Sequence, residues 1–322
     1  MKIVRALAGA AIVAAGLSGA ANYGLGAWLH ADWPGTPLRS ETFETRGFPF
    51  ALGFDATGIA LRDGRREATL TAAEVRAPVW DPLALTIRPR LPATLSDGTL
   101  SATLNAGTAS GELAFGYGLP DLPLRRAAGR VEQAQIALAS APDMPFTAAS
   151  AEAALARQPA GDYAAHLRLS DIALPEGAAD RLLPGADLGD RIASVSADAT
   201  VGFAHPPALH GPHPELARVH LATLSIDWGG RGLSASGDLS ADAAGLAEGQ
   251  IALTTRDWQS WFDVARRAGL LGRGEHLVES LLRSMAEASP DGSVSIPVSF
   301  HKGRMSVGPV PTGYMLRLAQ RQ

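Results

Sequence analysis

From Phe50 onward apolar and polar residues alternate, and the alternation is broken at short intervals by turn residues. Phe50, Leu52 and Phe54 point one way, Ile59 and Leu61 follow, and Asp63-Gly64 turns the chain. Leu70 and then Val75, Ala77 and Val79 continue, with a slip of phase near Ala72-Ala73. Leu85 and Ile87 predict a short strand closed by Pro89 and Pro92, and Asp97-Gly98 predicts a hairpin. Leu100, Ala102, Leu104 and Ala106 alternate, as do Leu113, Phe115, Tyr117 and Leu119. Leu155 leads into a turn at 159–162, and Tyr163, Ala165, Leu167 and Leu169 lead out of it. Period 2 returns at Val195–Phe203, at Leu224, Ile226 and Trp228 before Gly229-Gly230, at Leu233–Leu239, and at Val294–Phe300 before Lys302-Gly303. Met305 and Val307 then run into Gly308-Pro309. One apolar and one polar side per segment is the pattern of half-buried antiparallel strands.

The stretch 257–288 is different. Trp258, Trp261, Phe262 and Ala265 recur at i, i+3, i+4 and i+7, one helical stripe, with Asp257 placed to cap it. Gly272 and Gly274 interrupt the run, and Leu277, Val278, Leu281, Leu282 and Met285 form a second stripe. This predicts a helical hairpin lying against a sheet. Arg266, Arg267, Arg273 and Arg283 also allow it to lie on a membrane surface.

The fold expected is mostly β: a long curved antiparallel sheet, either a meander forming a groove or an open sandwich, with the helical hairpin inserted before the last strands. Composition shapes that expectation. Hydrophobic residues are 46% of 322, but 60 of them are alanines, so bulky residues come in ones and twos per strand. A thick sandwich core needs more. A sheet with one lightly covered concave face fits the supply. Gly (35) and Pro (22) together are too dense for a helical bundle.

Lys2 and Arg5 precede an uncharged run from Ala6 to Leu29, and the next charge is Asp32. Twenty-four residues at about 1.5 Å each cross a hydrocarbon core of about 30 Å. The positive start places the N-terminus inside and the rest outside. Residues 1–31 therefore read as an uncleaved signal-anchor helix in the inner membrane, or as a signal peptide cut after Ser18-Gly19-Ala20 that releases a soluble periplasmic protein. Either reading exports 32–322 as one β-rich domain.

Cysteine is absent, which removes thiol chemistry, Cys-bound metals and disulfides. The net charge of −4 argues against a nucleic-acid partner. Arginine is abundant, but with only Lys2 and Lys302 as lysines this is a compositional bias rather than a site. His205, His210, His213 and His220 cluster in and beside a Pro-rich segment that predicts a loop, not a metal site. No Gly-x-Ser-x-Gly elbow, zincin motif or nucleotide fingerprint occurs. The expectation is a protein that is not an enzyme and takes no cofactor, the alternative being a periplasmic hydrolase with a carboxylate or histidine site outside any known motif.

Three stretches together resemble a known family. They are Gly47-Phe48-Pro49-Phe50; Trp228-Gly229 with Gly232-Leu233, Gly237, Asp242, Gly245, Gly249 and Asp257-Trp258; and Phe300, Gly303, Gly308-Pro309 and Gly313. The chain resembles the bacterial envelope family called domain of unknown function 2125, departing from its pattern after Gly313, where Tyr314-Met315 stand. More distantly it is similar to AsmA-like periplasmic proteins, which implies an inner-membrane anchor, a β-rich periplasmic body and a role in moving lipids along an apolar groove. The residues that would line such a groove are Phe50, Leu52, Phe54, Leu100, Leu104, Phe115, Tyr117, Val201, Phe203, Ile226 and Trp228. Each can equally serve as an ordinary core residue. The alternative is a periplasmic protein-interaction scaffold with a closed β core and protein partners in place of lipid acyl chains.

Overall fold

The computed structural model describes residues 38–46, 51–63, 66–118, 120–182, 187–209, 214–267, 275–308 and 310–318. The expected anchor over 1–31 lies outside them, as do Phe48, Pro49 and Phe50. Among the described residues, no helix is long and apolar enough to cross a membrane. The protein is mostly β, and contacts divide it into two compact units: Met1–Pro159 with His205–Pro214, and Ala160–Ala204 with Glu215–Gln322.

The first unit contains β1 (Leu38–Arg39), β2 (Thr42–Arg46), β3 (Ala51–Asp63), β4 (Arg66–Pro78), β5 (Ala84–Ser96), β6 (Ser101–Asn105), β7 (Thr108–Phe115), β8 (Leu124–Leu138) and β9 (Ala141–Arg157). All pairings are antiparallel: β1 and β2 on β3, β3 on β4, β4 on β5, β5 on both β6 and β7, these two on β8, and β8 on β9. This is the meander that the turn spacing predicts.

The cross-strand registers put the apolar positions on one side. Leu52 faces Ala77, Leu85 faces Leu113, Leu113 faces Ala127, and Ala127 faces Leu155. A second row runs from Phe54 to Val75 and Ile87, then through Gly111 and Gly129 to Ala153. The other side carries Arg76 on Asp55 and Glu74, Arg126 on Glu112, and Arg130 on Glu132 and Glu152, at 2.7–3.4 Å. Such solvated pairs contribute about 0–1 kcal/mol each. Their effect is to keep that side in water and the apolar side away from it.

A line of phase slips crosses the unit. The apolar side passes from Ala56 to Ile59 in β3, Leu70 to Ala73 in β4, Ala106 to Ala109 between β6 and β7, Val131 to Ala134 in β8, and Ala148 to Ala151 in β9. Each step is three residues where regular pleating takes two. Gly58 and Gln133 at this line have left-handed backbones, φ 59° and 54°. The slip expected near Ala72-Ala73 is one member of the series; β4 and β5 shift register between Leu70 and Ala72. Here the structure corrects the sequence. β5 does not close at Pro89 and Pro92 but runs through both, with a cis Leu91–Pro92 bond. The ladder toward β7 ends at Ile87 and the ladder toward β6 resumes at Ala93. The prolines occupy that gap, so their missing N–H groups cost no ladder bond there.

The expected hairpin at Asp97-Gly98 joins β5 and β6. The Asp97 carboxylate accepts the N–H groups of Thr99 and Leu100 at 2.8 and 2.7 Å and the Thr99 hydroxyl at 2.7 Å. These donors hold its pKa at about 2, below the ordinary 3.8. A lowered folded-state pKa means the stabilisation is complete above the ordinary carboxylate value and is lost as pH falls from about 4 toward 2. Asp97→Asn should therefore melt below wild type at neutral pH, with the gap closing at low pH. A thermal-melt series over pH checks this, and a gap that does not change with pH refutes it.

The second unit contains β10 (Tyr163–Ala173), a short helix α1 (Ala178–Leu182), β11 (Arg191–His205), β12 (Glu215–Trp228), β13 (Arg231–Ala241), β14 (Ala247–Thr255), helices α2 (Trp258–Arg267) and α3 (Glu275–Ala288), β15 (Val294–His301), β16 (Arg304–Val307) and β17 (Val310–Met315). β10 pairs with β11, and β12 through β17 pair each with the next. Leu239, Ala247, Val298 and Phe300 form one buried cluster. Trp258, Phe262, Leu282 and Val294 form another, so both helices pack at the Val294 end of β15. The turn expected at Gly272 and Gly274 lies outside the described residues.

The helical stripes hold with two corrections. Leu281 is exposed and Val264 is buried in place of the expected Ala265 position. Asp257 precedes α2, but its carboxylate accepts the Gly232 N–H at 2.9 Å, tying the helix start to β13. In the histidine segment, His205 ends β11, His220 lies within β12, and His210 and His213 lie outside the described residues; the correction is that Pro207 and Leu209 are buried, not exposed. Leu124 N–H donates to the Pro207 carbonyl and Leu209 N–H to the Leu122 carbonyl, which fastens the segment to the start of β8.

Candidate functional site

The candidate groove residues fall on both units. In the first, Leu52 and Phe54 stand on the apolar side of β3, half-exposed and part-buried, and Leu100 is exposed in the β5–β6 turn. Leu104 and Phe115 are core: 4% and 1% exposed. Leu104 packs with Val131 and Ala134. Phe115 lies opposite Leu124, which is fully buried, and donates its N–H to Leu83. Tyr117 has left the sheet and is exposed. In the second unit, Val201 pairs with Tyr163, and Phe203 meets the Tyr163 ring edge-on at 5.5 Å. Ile226 pairs with Leu233. Trp228 is buried and its Nε1–H donates to the Gly189 carbonyl at 2.9 Å. Leu104, Phe115 and Trp228 therefore present no surface to a ligand.

The sequence reading missed other members of the apolar side. β8 and β9 supply Ala127, Val131, Ile136, Phe146, Ala151, Ala153 and Leu155 through an alternation carried mostly by alanine. Alanine marks a face weakly, because it is common on both sides of a strand. Leu85, Ile87 and Ile136, on inner strands of the unit, keep part of their area exposed, as do Phe146 and Leu155 on β9, its last strand. This combination, a continuous apolar side that its own unit covers incompletely, is the strongest candidate site.

The polar side of the second unit offers a different arrangement. Three imidazole–carboxylate pairs join neighbouring strands: His166 with Asp198, His220 with Asp238 at 2.7 Å, and His301 with Glu248 at 3.2 Å. Arg218 Nη2 reaches both oxygens of Asp162 at 2.6 and 2.8 Å. That bond raises the guanidinium pKa further, so Arg218 stays charged throughout the working range. Arg218, His220, Asp162, Asp238 and Glu248 border a shallow groove of about 380 Å³. One guanidinium stands there against three carboxylates, Asp162, Asp238 and Glu248, so the groove does not favour an anionic ligand. Among the described residues, no three His, Asp or Glu side chains are grouped to hold a metal ion.

The glycines of the expected motifs have structural work. Gly229 and Gly230, both left-handed, make the two-residue turn between β12 and β13, and Lys302-Gly303 does the same between β15 and β16. Gly308 donates its N–H to the Pro297 carbonyl at 2.7 Å where β16 turns toward β17. Gly47 and Pro309 lie outside the described residues, and Gly313 stands within β17.

The architecture is thus that of a one-sided antiparallel β protein with a small helical addition. The chain belongs to the family described as an uncharacterized protein conserved in bacteria (DUF2125), whose model matches residues 17–315. No curated protein and no solved structure matches the chain.

Proposed function

We propose that the protein is a membrane-anchored periplasmic module that holds a lipid acyl chain against the apolar side of its first unit. The observation that carries this reading is the set of part-exposed residues on one apolar side: Phe54, Leu85, Ile87, Ile136, Phe146 and Leu155, drawn from several cross-strand rows. An acyl chain laid there gains about 0.8 kcal/mol for each methylene taken out of water. Gly111, Gly129 and Ala153 in one row leave space between the larger side chains. The charged side keeps its own face in water. The uncharged run Ala6–Leu29 supports the anchor, and the likeness to AsmA-like proteins supports a lipid as the cargo. The role proposed is binding or transfer, without catalysis.

The burial of Leu104, Leu113, Phe115 and Val131 on the same side favours the second reading, a closed-core scaffold for protein partners. A photo-reactive benzophenone amino acid separates the two. Placed at position 87 of the full chain in living cells, it should capture phospholipid, identified by the mass of the cross-linked peptide. Placed at position 86, on the opposite side, it should not. Capture of protein at both positions, with no lipid at 87, would establish the scaffold and dismiss the groove.

A further inference from the structure

We infer that the strand end of the first unit carrying Trp80 and Tyr117 docks on a lipid surface. The turn after β4 leaves Val79 46% and Trp80 82% exposed, and Tyr117, just beyond β7, is 65% exposed. Leu52, 47% exposed, stands at the same end, where Ala51 pairs with Pro78. Tyr117 is tied to the turn: its hydroxyl donates to Asp81 at 3.3 Å, and Arg125 Nη2 reaches the same carboxylate at 3.1 Å. Asp81 and Arg125 neutralise each other. The result is a tip of aromatic and aliphatic surface, with the exposed Asp121 beside it in the turn leading to β8. Tryptophan and tyrosine collect at bilayer interfaces because they combine an apolar body with a polar end.

Aromatic residues also anchor protein interfaces. The chain outside the described residues favours lipid. Only residues 30–37 separate the apolar run Ala6–Leu29 from β1, and eight residues reach at most about 28 Å. β1 begins at Leu38, opposite Leu61, nine positions along β3 from Leu52 and so about 30 Å from it. A bilayer that holds the run is within reach of the tip when β3 lies along it. This rests on the reading of the run as a membrane segment.

The test uses the full chain in vesicles of phosphatidylcholine with a minor share of phosphatidylglycerol, with and without brominated acyl chains. Trp28 lies in the run and Trp33 just beyond it, so the signal is the difference between wild type and Trp80→Phe. The Trp80 component should be quenched by brominated lipid and shielded from aqueous iodide, and high salt should not weaken it, because no cation of the tip is needed to hold it to the vesicle. Val79→Asp should abolish both effects while leaving the melting temperature unchanged, since Val79 lies outside the core clusters. A Trp80 component quenched by iodide and not by lipid overturns the inference. So does one shielded from both, which would mean that protein covers the tip. Flotation of the same samples separates the two readings. A chain that floats with Trp80 in water overturns docking alone. A cleaved chain with lipid-quenched Trp80 overturns the anchor alone, and a chain that fails to float overturns both.

Discussion

Phe115→Ala should destabilise the first unit by about 3–5 kcal/mol, the range for removing a buried aromatic side chain and leaving a cavity. Phe115 is 1% exposed, its strand neighbour Leu124 is fully buried, and Leu113 on the same side of β7 is 2% exposed. Neither neighbour can move into the space without giving up contacts of its own. For a unit of this size the loss corresponds to a fall in melting temperature of roughly 6–20 °C. Calorimetry on the full chain reads it directly. A loss below about 1 kcal/mol would mean that this side is loosely filled, and Phe115 would return to the list of groove residues. The same measurement on Ile87→Ala gives the comparison: its side chain is part-exposed, so the loss should be smaller.

The second large effect is Gly237→Ala in β13. Gly237 has φ 149°, and a side-chain carbon there would press on the Gln250 carbonyl oxygen and lie 2.8 Å from Ile251 Cα. Both obstacles are backbone, so neither can rotate away. Gly249 in β14 mirrors it, with φ 131° and the Asp238 carbonyl in its way. The pair lets β13 and β14 approach beside the register shift between Leu221 and Leu224 of β12. Strained backbone of this kind costs about 1–3 kcal/mol, and the displaced ladder adds to it. Gly230→Asn is the control: it sits in a turn at φ 73° with open space around it. Asparagine tolerates that conformation. Urea unfolding of the full chain should show Gly237→Ala shifted to lower denaturant and Gly230→Asn close to wild type. Equal midpoints would show that β13 and β14 do not need the close approach.

Much of the fold was legible in the residues. Turn pairs such as Asp97-Gly98, Gly229-Gly230 and Lys302-Gly303 mark hairpins that the structure contains, because few residues other than glycine accept a left-handed backbone. The stripes through Trp258, Phe262 and Leu282 mark helices for a similar reason: large side chains at helical spacing have one common face. β8, β9, β14 and β17 were not legible. Their patterns rest on alanine, glycine or a few branched residues, and each is defined by the neighbour it pairs with. Pro89 and Pro92 misled for the opposite reason. Proline signals a strand end by itself, yet it is harmless where a ladder already has a gap.

The candidate site divides along the same line. Sequence alone determined that the chain alternates, that its apolar positions are lightly filled, and that one end carries an uncharged run long enough for a bilayer. Those are properties of residue type and spacing, which survive in any arrangement of the strands. Only the tertiary structure decided which apolar residues are consumed by the core. Leu104, Phe115 and Trp228 look identical in pattern to Leu52 and Phe54, but burial depends on what faces them across the sheet. It also decided the line of phase slips from β3 to β9. A slip in one strand reads as an irregularity. Five in neighbouring strands keep one face apolar across the unit, and that alignment exists only once the strands are paired.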